Sequence, residues 1–328
     1  MLLLTEDDVR SCLDMGDAVS AVEHALREMF AGRVALPVRS EIRSADGHDL
    51  ALFMPGELTD AGVLGQKIVA ERPGNAERGL PVLTSSLTLL DPDTGLIAAL
   101  MGATHLTNVR TGALTAVAAR RLAPSSTHVA TIVGTGGIVP MQVMALAELA
   151  QIDEIRVTGR TPSRIHKVVE TCRTLDLRPD LEVVAETDVE AAVRAAGVVV
   201  TATSARQPVV DDDWIQHGAT ICAMGGNAPH MTELPTSVVG RADLVVVDTR
   251  AGVVGRAGDI LTPISEGVLA EDEIVELADV TADDWTRPTD GLSIFKSCGF
   301  AAADLAIAAR VVGVAGERGL GLDADLGQ

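Results

Sequence analysis

Residues 129–150 read VATIVGTGGIVPMQVMALAELA. A short β-branched run enters a Gly-x-Gly turn at Gly134 and Gly136, and apolar residues at helical spacing follow. A glycine pair of this kind carries information only in such a context, directly after a strand and at the start of a helix. The first glycine makes a tight turn and the second lets backbone approach a pyrophosphate. The helix N-terminus adds free N–H groups at the positive end of its dipole. Gly134, Gly136 and Gly137 are therefore the expected phosphate cradle of a dinucleotide. Val139 stands where the fingerprint has its third small residue, a departure that bears on how closely helix and strand pack. The competing reading is a glycine turn in a sheet that binds no nucleotide.

Downstream, the strand-like runs EIRVTGR, LEVVAE, GVVVTAT, ATICAMG and DLVVVDT are interleaved with helical stretches at 138–150, 163–175 and DVEAAVRAA. Buried β-branched runs alternating with helices predict a parallel sheet covered on both faces. Upstream the pattern differs: a helix over 16–30, then the β-like segments VRSEIRSADGHDLALFMP, LGQKIVAE and SSLTLLDPDTGLIAALM, with DPDTG as a turn, and a helix over 104–122. Pro124 marks a boundary. The segment KSCGFAAADLAIAARVVGVA reads as one long Ala-rich helix that returns to the N-terminal part without a new sheet. The expected fold class is α/β: a Rossmann-type doubly wound parallel sheet over 123–299, and a second, α+β domain over 1–122 completed by a C-terminal helix within 300–328.

The chain has 328 residues, 47% of them hydrophobic, enough for two domains with real cores. Its 26 basic and 46 acidic residues give a formal charge of −20, which repels nucleic acid and anionic lipid. With 2% aromatic residues and no tyrosine it has little material for base stacking. Cys12, Cys172, Cys222 and Cys298 are far apart and form neither a disulfide framework nor a metal-ligand spacing. The opening MLLLTEDDVR lacks a basic leader pattern and no window has the length of an apolar membrane span, so a cytoplasmic setting is expected.

Beyond the glycine turn, the next strand ends in VTGRTPSR, where an NAD-binding fold usually places an acidic residue for the ribose 2′-hydroxyl. Here Arg160, Thr161 and Arg164 occupy that region. Two guanidiniums four residues apart can clamp a 2′-phosphate. Alternatively one stacks on adenine and the other is a solvated helix charge. NADP is the expected coenzyme, with NAD as the alternative.

Three basic residues sit in apolar or turn sequence: Arg39 in LPVRSE, Lys67 in GVLGQKIVAE and Arg110 in LTNVRTGALTA. Singly each reads as a surface charge. Sharing one pocket, they would bind an anion. A buried ammonium such as Lys67 is costly unless paired. The run ATICAMGGNAPHMTELP, residues 219–235, ends a strand in a Gly-Gly turn that offers Asn227 as its first polar side chain. His105, His217 and His230 are scattered singly, and only His230 lies near this turn.

The segments PVRSEI, GQKIVAERPGNAERGLP, LLDPDTGLIAALMGATHLTNVRTGALTAVAARRLA, the GTG turn, MGGNAPHMTEL and IFKSCGFAAADLA together resemble the ornithine cyclodeaminase and mu-crystallin family over nearly the whole chain. The resemblance implies a homodimer in which the N-terminal strands and the returning helix form the dimerisation and substrate domain. It implies that Arg39, Lys67 and Arg110 bind a substrate carboxylate and that Lys67 assists proton transfer. Thr111, the residues Thr201 and Thr203 of TATS, and Ser297 to Gly299 would lie along the coenzyme. Asn227 would take the position of a catalytic aspartate of the cyclodeaminases. A carboxylate holds a cation and accepts a proton, whereas an amide only hydrogen-bonds. Asn227 thus argues against cyclodeamination. The expected function is NADPH-dependent reduction of an imine, such as pyrroline-2-carboxylate, or of a 2-oxo acid to an L-amino acid. The alternatives are ornithine or lysine cyclodeamination, an alanine-dehydrogenase-like reaction, and NADPH-dependent ligand binding without turnover.

Overall fold

The computed structural model describes residues 1–287 and 290–327. The chain divides into two compact units, one made of Met1–Arg110 with Phe300–Gln328 and one of Thr111–Gly299. Gln328, the end of the expected C-terminal segment, lies outside the described residues.

The first unit runs β1 (Leu2–Leu4), α1 (Glu6–Ser11), α2 (Met15–Phe30), β2 (Val34–Ala35), β3 (Ser40–Arg43), β4 (Leu50–Leu58), β5 (Val63–Glu71), β6 (Leu83–Leu90) and β7 (Ile97–Gly102). Helix α3 (Thr104–Leu122) carries the chain onward. The second unit then continues with β8 (Val129–Val133), α4 (Val139–Ala147), β9 (Glu154–Thr158), α5 (Pro162–Cys172), β10 (Glu182–Ala185), α6 (Val189–Arg194), β11 (Val198–Thr201) and β12 (Thr220–Ala223). It is completed by α7 (Thr236–Gly240), β13 (Leu244–Val247), α8 (Arg250–Val253), α9 (Gly258–Ser265), β14 (Ile274–Glu276), α10 (Leu277–Val280) and β15 (Ser293–Lys296). The chain then returns to the first unit with α11 (Ala301–Arg318) and β16 (Leu322–Asp323).

In the first unit the strands form a mixed sheet in the order β16-β1-β7-β6-β5-β4-β2, with β3 also paired to β4. Helix α11 packs on β4, β5 and α2. Two glycines allow it to lie close: Gly56 and Gly65 face each other across β4 and β5. A Cβ on Gly56 would stand 3.2 Å from Ala301 Cβ, and one on Gly65 would stand 3.1 Å from Leu305 and 2.2 Å from the Thr88 carbonyl. The alanine-rich first half of α11 is the complementary surface, buried from Ala301 through Ala308. Small residues on both sides thus let backbone approach backbone.

The second unit contains a parallel sheet in the order β10-β9-β8-β11-β12-β15-β13-β14. Its central strands are buried throughout, which is why they read as unbroken apolar runs rather than alternating ones. Its core gathers Val199, Ile221, Val245 and Ile294 from the strands with Val238 and Ile260 from covering helices.

One expectation needs correction. The Ala-rich helix does not begin at Lys296: residues Ser293–Lys296 form β15, hydrogen-bonded between β12 and β13 near the middle of the sheet, and the helix starts at Ala301. Four residues of strand are too short to show a period, whereas in place they complete two parallel ladders. Within the acidic stretch EDEIVELADVTADDW, residues Ile274–Glu276 form the edge strand β14, paired to β13.

Candidate active site

In the first unit, β5, α3 and α11 bring three charged side chains together. Lys67, on β5, is 1% exposed and Asp304, on α11, is fully buried. Asp304 Oδ1 lies 2.7 Å from Lys67 Nζ and 2.9 Å from Arg110 Nε. Arg39 is near enough for its charge to act on Lys67. Among the described residues Asp304 Oδ2 accepts no hydrogen bond, though it is buried. Lys67 and Arg110 therefore meet around one acid, with the charge of Arg39 acting on the lysine from nearby. Two cations, Lys67 and Arg110, thus share a single buried carboxylate oxygen.

Burial, with Arg110 and then Arg39 adding like-charge repulsion, pulls the Lys67 pKa down to about 7 against the opposing pull of Asp304. A lysine that titrates near neutrality can give up and take back a proton at ordinary pH. Asp304 was not singled out from the sequence. Its signal was a lone acid within AAADLAIAA, a run otherwise fit only for burial.

In the second unit, the glycine turn has the shape a pyrophosphate needs. Gly134 has φ 153°, and a Cβ there would stand 2.4 Å from the Ala202 carbonyl oxygen. Gly136 and Gly137 have no neighbouring heavy atom within 4 Å of the Cβ position, so the turn is closed at its first glycine and open at the next two. No side chain caps the first turn of α4. The end of β9 adjoins this turn, since a Cβ on Gly159 would lie 3.2 Å from Thr135 Cγ2. Arg160, Thr161 and Arg164 follow there, all exposed. These residues fit a dinucleotide phosphate and ribose.

The strand-end loops are held by the buried acids Glu233, Asp248 and Asp259. Glu233 accepts hydrogen bonds from Thr201 Oγ1 (2.9 Å), Thr203 N (2.7 Å), Thr203 Oγ1 (2.8 Å), Gly225 N (2.8 Å) and Gly226 N (3.2 Å). The hydroxyls of Thr201 and Thr203 thus point at Glu233. Asp259 Oδ1 accepts from the backbone N–H of Glu233 (2.6 Å) and of Leu234 (3.0 Å), while its Oδ2 lies 3.0 Å from Lys296 Nζ. Burial works against the charge of Lys296, but Asp259, with Glu233 and Cys298, outweighs it and keeps the pKa above the ordinary lysine value. Asp248 Oδ2 accepts from Ser297 Oγ (2.7 Å), Cys298 N (2.8 Å) and Gly299 N (2.6 Å), which fixes the turn after β15. Asn227 and His230 are exposed on the loop after β12, and Thr111, half-buried, accepts Thr115 Oγ1 at its carbonyl.

The ornithine cyclodeaminase/mu-crystallin family model matches residues 1–317. A Δ1-pyrroline-2-carboxylate reductase of Bacillus cereus is 30% identical over 324 residues, 98% of each chain. Among solved structures, the Thermococcus litoralis Δ1-pyrroline-2-carboxylate reductase in complex with NADH and L-proline is similar with a TM-score of 0.92 and 32% identity, over 99% of this chain and 100% of that one. An archaeal alanine dehydrogenase dimer with bound NAD gives a TM-score of 0.91 at 30% identity, over 99% of each chain. Among the described residues no helix is long and apolar enough to cross a membrane.

Proposed function

Because the chain belongs to the ornithine cyclodeaminase/mu-crystallin family, we propose that it reduces a cyclic imine of the pyrroline-2-carboxylate class to the L-amino acid with NADPH. The observation that carries this reading is the Lys67–Arg110–Asp304 cluster, a buried cationic site whose lysine titrates near neutrality. In it Arg39, Lys67 and Arg110 hold the substrate carboxylate, which orients the imine carbon and draws electron density from it. A bound nicotinamide coenzyme supplies the hydride. Lys67, protonated, delivers the proton that the imine nitrogen takes up, directly or through an ordered water. Asn227 hydrogen-bonds that nitrogen or its water. An amide at this position cannot take the proton that cyclodeamination requires.

Gly134, Gly136 and Gly137 hold the pyrophosphate, with Thr111 and the loops of Thr201, Thr203, Ser297 and Gly299 shaping the nicotinamide end. Arg160, Thr161 and Arg164 take the 2′-phosphate. Neither guanidinium is in an ion pair among the described residues, so both are available to an incoming anion. The chain acts as a homodimer in the cytoplasm. Exposed apolar residues of the first unit, Val38, Ile42, Leu80 and Leu83, are suited to burial between copies.

The test is loss of reduced-coenzyme absorbance with pyrroline-2-carboxylate, run with NADPH and NADH on the species that sedimentation reads as two chains. Rapid ammonia-independent oxidation of NADPH is the expected result. No oxidation of either coenzyme with any cyclic imine sinks the reading. The likeness to the archaeal alanine dehydrogenase favours a second reading, an amino-acid dehydrogenase. Strict dependence on added ammonia with pyruvate would select it.

Replacing Arg160 and Arg164 together with alanine is expected to lower kcat/KM for NADPH by about 10- to 100-fold, the worth of about 1.5–3 kcal/mol of charge-assisted hydrogen bonding. NADH kinetics should barely change. Equal losses with the two coenzymes would assign the pair to adenine stacking or to structure.

A further inference from the structure

We propose that Glu233, anchored by the buried Asp259–Lys296 pair, is a positioning residue that fixes the two turns after β11 and β12 in the geometry needed for hydride transfer. The inference rests on the functional reading above, in which these turns carry Asn227 and the loop at the nicotinamide end. Its physical basis is independent of that reading.

Turns that leave a sheet normally satisfy their backbone with water or with each other. Here one fully buried carboxylate does so instead, serving the β11 turn through Thr203 and the β12 turn through Gly225 and Gly226. The close fit leaves no slack, since a Cβ on Gly225 would stand 2.1 Å from the Thr203 carbonyl and 2.5 Å from Glu233 Oε1. Glu233 is itself held through its backbone N–H by Asp259. Asp259 is fixed in turn by Lys296, at the end of β15, whose Nζ lies 3.5 Å from the Cβ position of Gly226. A lysine and two acids, each no more than 1% exposed, are costly to bury, and the turns they order are the ones that precede Asn227. The arrangement links three neighbouring strand ends, so a shift in any member moves the turn that presents Asn227.

Every partner of the Glu233 carboxylate is a donor, and three of them are backbone N–H groups divided between its two oxygens. Glu233→Gln places an NH₂ donor against at least one of those N–H groups, whichever way the amide turns. Amide hydrogen exchange then reads the clamp, and kinetics read its consequence. In Glu233→Gln the amides of Thr203, Gly225 and Gly226 are expected to lose protection while those of β8 and β11 keep theirs. On pyrroline-2-carboxylate, kcat falls about 10- to 100-fold, the cost of sub-ångström to 1 Å misplacement of reacting groups. KM for the imine stays within about twofold, because the proposed carboxylate anchors are untouched. The deuterium isotope effect from 4-deuterated NADPH rises toward its intrinsic value as hydride transfer becomes rate-limiting.

The double variant Asp259→Asn/Lys296→Met removes both buried charges and guards against simple misfolding of a chain with one unpaired ion. It is expected to show the same pattern at smaller amplitude. Unchanged protection in Glu233→Gln overturns the clamp. Lost protection with an unaltered kcat and isotope effect overturns its role in positioning. If the wild type turns over no imine, the functional reading fails and the exchange pattern alone upholds or overturns the clamp.

Discussion

Lys67→Met is expected to lower kcat/KM for imine reduction by about 100- to 10,000-fold, the usual worth of a positioned acid or base, and at the same time to raise the melting temperature near pH 6. The two effects have one origin. Lys67 is buried beside Arg110, and its pKa of about 7 is well below the ordinary 10.5. Between these values the unfolded chain carries a proton on this lysine that the folded chain does not. Stability therefore rises with pH across the window, by up to about 1.4 kcal/mol per pH unit. The contribution is complete above about 10.5 and is lost as pH falls toward 7. The wild type should accordingly gain stability from pH 7 to 9 relative to Lys67→Met, which lacks the titrating group. In kinetics the signs differ by direction. Reduction needs the protonated lysine, so kcat/KM declines above about pH 7; oxidation of the amino acid needs the neutral lysine and increases there. Parallel melting curves for the two proteins across pH 7–9, or turnover retained by the methionine variant, would refute this account.

Asp304→Asn tests the same cluster from its acidic side. Among the described residues it is this carboxylate that raises the Lys67 pKa, through its charge and its hydrogen bond. Its removal should move the alkaline decline of imine reduction to lower pH. It also leaves Arg110 buried without its counterion, and breaking a buried ion pair from one side costs about 3–5 kcal/mol. For chains of this size that corresponds to a melting temperature lower by roughly 10 °C. Asp304→Glu keeps the charge and should restore the pH limb in part even where crowding keeps the protein unstable. A limb that stays in place in Asp304→Asn would mean that Asp304 is structural only.

The sequence made the cations visible because each stands out of place: a lysine in an apolar strand, an arginine where a helix turns apolar. It also made the parallel sheet visible, because strands buried on both faces leave unbroken β-branched runs. What it did not show were the partners of the buried acids, Asp304 beside these cations and Glu233 beneath the strand-end turns. Asp304 meets Arg110 across 194 positions and Glu233 meets Thr201 across 32, and nothing in a one-dimensional pattern pairs such residues. Strand β15 was hidden for a related reason: SIFK becomes a strand only by filling the gap between β12 and β13. The loop acids were individually unremarkable in TELP, VVVDT and AGDIL. They acquire meaning from the N–H groups that converge on them.

The first unit is discontinuous in the chain, and this sets an order on its assembly. Thr111–Gly299 is a single contiguous segment, so its core is built without residues from either flank. The unit that begins the chain waits for α11, and Lys67 and Arg110 wait with it for Asp304. Until that last helix docks, the chain carries an unneutralised basic cluster and lacks the surface that covers β4 and β5. The proposed anion-binding site therefore exists only once parts of the chain nearly two hundred positions apart have met, whereas the parallel-sheet unit closes within one continuous stretch.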